Sequence, residues 1–208
     1  MTLPNQLTLL RIALTPVFFT LLFIPARGAA IASFIVFIIA AVTDWYDGYT
    51  ARKLGKISRW GQFLDPLADK ILVLSAFTGF WLLGYFPLWM LLVILIRDSI
   101  ITFIRIRTAL SGCPMVTRFY GKIKTFLQMT AIPILFIYHY ISKYADLADS
   151  PIFLQLSARR AMPILIGVVT IITAVTGLFY LIENRQCLSN LFQGKMPLSE
   201  PQNSGDQV

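Results

Sequence analysis

The chain has 208 residues, 57% of them hydrophobic and only 13% charged, with a mean hydropathy of +0.71, whereas a soluble domain carries about 25% charged residues. That composition excludes a cytosolic globule, a collagen, a coiled coil, a disordered chain and a disulfide scaffold. The net charge of +8, from 18 Lys and Arg against 10 Asp and Glu, reads first as the basic bias of cytoplasmic loops and is compatible with anion binding. Nucleic acid is not an expected partner.

Six apolar tracts follow one another, roughly 7–24, 29–42, 71–86, 88–104, 126–141 and 161–182. With their flanks they approach the ~20 residues a spanning helix needs. The expected fold is therefore all-α: an integral membrane protein of six transmembrane helices. The first tract lacks the basic n-region of a signal peptide, and Arg11 interrupts it. Pro4 suits a helix start. No internal repeat is present, so residues 1–192 read as one membrane domain. Residues 193–208, rich in Pro, Ser and Gln, read as a disordered polar tail. Cys113 and Cys187 stand far apart with no metal-ligand spacing.

Orientation follows from counting cations. With the N-terminus inside, the inner segments hold Arg52, Lys53, Lys56, Arg59, Arg105, Arg107, Arg118, Lys122, Lys124, Arg185 and Lys195. The outer ones hold only Arg27, Lys143, Arg159 and Arg160. This bias places both termini in the cytoplasm, and a basic chain with this layout suits a bacterial inner membrane.

The junction of the second and third tracts carries the chemistry. Asp44 and Asp47 are three apart at the end of the second helix, so they share a face. Gly61, Asp65 and Asp69 are spaced by four at the start of the third, a second shared face. Four carboxylates aimed at one place near the cytoplasmic interface repel one another unless cations sit among them. Aspartates without nearby His or Cys are hard oxygen donors, which favours Mg²⁺ or Mn²⁺ over zinc. Two ions balance four charges best, and paired ions serve phosphoryl transfer. Gly48 and Gly61 let a phosphate approach the backbone, and Arg52 offers it a planar fork. A salt-bridge cluster with Arg52, Lys53 and Lys70 is the alternative. A cation transporter is another, although transport sites lie nearer the midplane. Pro66 requires the third helix to begin near Leu64 or to bend.

The spacing Asp44-x-x-Asp47-Gly48-x-x-Ala51-Arg52, then eight residues, then Gly61-x-x-x-Asp65-x-x-x-Asp69 resembles the motif of the CDP-alcohol phosphatidyltransferase family at every fixed position. A chance match at eight positions is on the order of 10⁻¹⁰ per register. The resemblance implies a membrane enzyme that moves a phosphatidyl group from CDP-diacylglycerol to a small alcohol and releases CMP. It implies that Asp44, Asp47, Asp65 and Asp69 bind two divalent ions, and that Gly48, Ala51, Arg52 and Gly61 meet the CDP moiety. Asp69 corresponds to the family's general base, and a homodimer is the usual assembly.

Within the family, Pro4-Asn5-x-x-Thr8-x-x-Arg11, the run from Leu64 to Lys70, and Gly121-Lys122-Ile123-Lys124-Thr125 with Gln128 look like the members whose acceptor is glycerol 3-phosphate. Those members usually carry Arg-Glu in the fourth helix. This chain has Arg97-Asp98, which resembles the cardiolipin-forming members that use phosphatidylglycerol. An acceptor phosphate needs its own cations, and Arg97, Arg105, Arg118, Lys122 and Lys124 are the candidates.

Each has a plainer alternative. Asp98 could pair with Arg97 or with Arg105, which lies seven residues on and nearly eclipses it. Arg118, Lys122 and Lys124 could be positive-inside residues, and Lys70 could simply neutralise Asp69. Arg11 could snorkel or pair with a carboxylate. His139, Trp45, Tyr46, Trp81, Tyr85 and Trp89 read as interfacial aromatic belts. Gly167 and Gly177 are expected to permit close helix packing.

Overall fold

The computed structural model describes residues 3–54, 59–110, 119–144, 161–185 and 189, with side chains described within 9–43, 70–108, 123–144, 161–185 and at 189. Among these residues the chain is all helix. The helices are α1 (Leu3–Phe23), α2 (Arg27–Leu54), α3 (Arg59–Leu82), α4 (Leu88–Leu110), α5 (Phe119–Tyr144) and α6 (Ala161–Glu183). Each apolar tract sits in one helix. Two stretches, Ile123–Tyr144 and Ala161–Glu183, are long and apolar enough to cross a membrane.

Local chemistry sets the turns. Helix α1 stops at Phe23 because Pro25, two residues on, has no N–H and restricts the residue before it. Helix α3 ends in a paired-bond cap: the N–H of Gly84 donates to Trp81 O (2.8 Å) and that of Tyr85 to Phe80 O (3.2 Å). Such a cap needs a left-handed residue, and Gly84 supplies it with φ of 81°. Pro66 neither starts nor stops α3, which runs from Arg59 straight past it. The alternative of a start near Leu64 is thus excluded.

Helix α1 packs along α2 and α3, α5 reaches α2 and α3, and α6 lies against α4 and α5. One continuous core fills the space, with Phe18, Phe37, Phe77, Phe80, Ile94, Leu135 and Ile166 among its fully buried members. At Gly79 an added Cβ would lie 2.7 Å from Leu22 Cδ2, so α1 and α3 approach through that glycine. Threonine hydroxyls turn back on their own helices: Thr15 donates to Arg11 O, Thr43 to Ile39 O, Thr78 to Leu74 O and Thr170 to Ile166 O. Ser33 instead crosses to Phe18 O on α1 (2.8 Å).

The outward faces are apolar too. On α6, Ile164, Val168, Ile171, Val175, Leu178 and Ile182 are all exposed and form a stripe at helical spacing. A water-soluble helix puts polar residues there.

Candidate active site

On α2 the buried positions Ser33, Phe37 and Ala40 define the inward face. Steps of three and four along that face reach 44, 47, 48 and 51, all within the helix. On α3, Phe77 and Val73 are buried, and steps of four back from them reach 69, 65 and 61, again within the helix. The inward registers of two neighbouring helices thus arrive at the acidic positions. The side chains of Asp44, Asp47, Ala51, Arg52, Asp65 and Asp69 lie outside the described residues, as do the surroundings of Gly48 and Gly61.

Directly beyond position 69 the described side chains begin, and they are polar. Lys70 Nζ donates to the carbonyl oxygen of Asp98 on α4 (2.6 Å), which also accepts from Thr102 Oγ1 (2.7 Å). Lys70 therefore reaches across to α4 rather than serving Asp69 alone. The Asp98 carboxylate is buried and accepts from two cations: Arg97 Nη1 (3.0 Å) on Oδ1 and Lys124 Nζ from α5 on Oδ2. Arg97 Nη2 goes on to Thr176 Oγ1 of α6 (3.3 Å). Four helices meet at one aspartate.

Gly177 makes room for this arrangement. A Cβ there would fall 2.8 Å from Arg97 Cγ and 2.9 Å from its Nε, so the glycine accommodates a side chain rather than a neighbouring backbone. Gly167 is different, since its Cβ would meet only Met90 Cε at 3.5 Å, an ordinary contact. Of the two glycines expected to permit close packing, only Gly177 has that role.

The other expected acceptor cations are dispersed. Arg105 is exposed and places its guanidinium 5.8 Å from the centre of the Tyr180 ring, so Asp98 pairs with Arg97 and not with Arg105. Arg118 and the side chain of Lys122 lie outside the described residues. Lys124 is buried against Asp98 rather than standing free in a loop. Arg11 is fully buried on the inward face of α1, which rules out snorkelling to the surface.

At the far end of the bundle the site's character inverts. His139 is 1% exposed, its Nδ1 lies 2.7 Å from the Tyr85 hydroxyl, and Phe80, Tyr85 and Tyr144 present ring edges to it. Burial pushes the Tyr85 phenol up from its ordinary value, so the hydroxyl stays protonated. His139 is therefore an interior residue rather than part of an interfacial belt. Trp89, at 54% exposure, does face outward. Trp45 and Tyr46 have side chains outside the described residues.

Comparison with known proteins agrees with the motif. Residues 1–152 match the CDP-alcohol phosphatidyltransferase family, and the chain belongs to that family. A CDP-diacylglycerol–glycerol-3-phosphate 3-phosphatidyltransferase of Bacillus subtilis is 40% identical over 149 residues, 66% of this chain and 77% of the relative. A probable phosphatidylglycerophosphate synthase of Mycobacterium tuberculosis is 38% identical over 133 residues, and the chain spans 63% of its length. An Escherichia coli relative with the same name as the Bacillus one is 36% identical over 135 residues, 74% of its length. The family match ends before α6, the helix that carries Thr176 and Gly177.

Proposed function

We propose that this enzyme transfers the phosphatidyl group of CDP-diacylglycerol to sn-glycerol 3-phosphate, giving phosphatidylglycerophosphate and CMP. The observation that carries this reading is the complete acidic motif, set on the inward registers of α2 and α3, in a chain 40% identical to a relative of that name. An acceptor hydroxyl oxygen forms a bond to the phosphorus that bears diacylglycerol. The bond from that phosphorus to the bridging oxygen breaks, CMP leaves, and the hydroxyl proton passes to Asp69.

The donor set at positions 44, 47, 65 and 69 is all carboxylate, which fits two Mg²⁺ or Mn²⁺ ions; when bound, these supply positive charge to the diphosphate. Gly48, Ala51, Arg52 and Gly61 receive the CDP moiety. Arg97, Arg105, Arg118, Lys122 and Lys124 provide the basic surroundings of the acceptor phosphate.

The six helices span the membrane in this proposal, with both termini cytoplasmic and the acids near the cytoplasmic interface. The exposed apolar residues on α1, α2, α4, α5 and α6 support it, because burying so many outward-facing rings and branched chains requires hydrocarbon around the bundle. Two copies pair as a homodimer.

The test is acceptor dependence. Purified protein with Mg²⁺ and CDP-diacylglycerol is expected to release CMP on addition of glycerol 3-phosphate and not with phosphatidylglycerol. Release only with phosphatidylglycerol would replace this acceptor with the cardiolipin-forming one.

A further inference from the structure

The cluster around Asp98 sets one negative charge against three positive ones, with Arg97 and Lys124 on its carboxylate and Lys70 on its carbonyl. The Asp98 and Lys124 side chains are only 4% and 10% exposed. Like charges so poorly hydrated repel far more strongly than in water, so the arrangement depends on side chains that are held in place and on a further anion nearby.

The holding is visible at each cation. Lys70 is fixed by a mid-helix carbonyl, Lys124 by a carboxylate oxygen, and Arg97 by the other carboxylate oxygen, Thr176 and the bare face of Gly177. Asp98 is the one residue common to all three. Two donors in this region remain without a hydrogen-bond partner among the described residues: Arg97 Nε, and Nε2 of Gln128, one turn along α5 from Lys124. Buried donors left open beside surplus positive charge suit an incoming anion with several acceptor oxygens.

We propose that Asp98 is a positioning residue for the acceptor: its carboxylate and carbonyl hold Lys124, Arg97 and Lys70 so that their surplus charge is presented to the acceptor's phosphate, while Asp98 touches neither substrate. The proposal rests on the acceptor being glycerol 3-phosphate, as argued under the proposed function. Helix α3 joins the two halves of the site, because Lys70, held by Asp98, follows Asp69 directly.

The experiment measures CMP release by the full-length protein in detergent with Mg²⁺. Glycerol 3-phosphate is varied at saturating CDP-diacylglycerol, then the reverse, for wild type, Asp98→Asn, Asp98→Glu and Thr176→Val. Asp98→Asn is expected to raise KM for glycerol 3-phosphate by about tenfold or more, the scale of one charge-assisted contact, with KM for CDP-diacylglycerol within about twofold of wild type. Asp98→Glu keeps the charge and is expected to recover most of the loss. Thr176→Val removes only the outer anchor of Arg97, with an expected rise of about two- to threefold.

A merely structural aspartate would lower kcat or raise both KM values together, and either result overturns the proposal, as does an Asp98→Glu no better than Asp98→Asn. If Asp98→Asn does not yield folded protein, Thr176→Val decides, and an unchanged acceptor KM overturns the proposal. A wild-type enzyme that ignores glycerol 3-phosphate overturns the proposed function instead, and that result comes before any variant is made.

Discussion

The two ends of this bundle solve opposite problems with the same six helices. At the far end, Phe80 meets Phe136 edge to face at 4.9 Å, Tyr85 meets Tyr138 at 5.5 Å, and His139 is closed off by the Tyr85 hydroxyl. Arg27 donates to the Tyr140 hydroxyl at 2.7 Å and lies over the same ring. At the acidic end, three cations share one aspartate and buried donors remain open. One end is arranged for stability. The other leaves charge in surplus, which stability alone does not favour and which an anionic substrate can use.

Substitutions at each end put this contrast at risk. The largest effect is expected from Asp65→Asn, which takes a charge from the coupled acids: kcat should fall by roughly 10²–10³, the scale of losing one preorganised electrostatic partner, in protein that elutes and melts like wild type. Near-normal turnover would remove the acids from the mechanism. Next comes Phe80→Ala at the aromatic end. Phe80 is fully buried, so its loss should cost about 3–5 kcal/mol of stability, seen as a lower Tm, with both KM values unchanged in the surviving protein. A selective change in acceptor KM would show that the two ends are not separate.

The smallest effect sharpens the comparison within a single helix. Gly177→Ala must push Arg97 aside, which should raise acceptor KM by about two- to tenfold, the value of one hydrogen bond. Gly167→Ala meets only ordinary contact with Met90 and should leave kinetics unchanged, with stability within about 0.5 kcal/mol.

Much of this was legible from residue order. The apolar tracts located all six helices, because hydrocarbon-sized runs have few other uses. Spacings of three and four located the acidic faces, since helical register is local. What failed was everything set by a neighbour distant in sequence. That Lys124 belongs to Asp98, 26 positions away, depends on how α5 lies against α4, and a lone basic residue in a sequence carries no sign of its partner. His139 misled for the same reason: next to two tyrosines it looks interfacial, but Tyr85, 54 positions earlier, shuts it inside. Pro66 also misled, because α3 continues through it.

The threonines that bond back to their own helices have a consequence for how the chain is made. Thr15, Thr43, Thr78, Thr130 and Thr170 each donate to a carbonyl one turn earlier on the same helix, so these hydroxyls are satisfied before any helix meets another. Helices of that kind can enter a bilayer singly during synthesis, with no exposed hydroxyl for the lipid to resist. The ion cluster at Asp98 cannot be completed that way, because its members arrive on α3, α4 and α5 and its outer anchor, Thr176, on α6. Assembly therefore acquires an order: the scaffold forms as helices arrive, and the charged centre closes only when the last helix has been inserted.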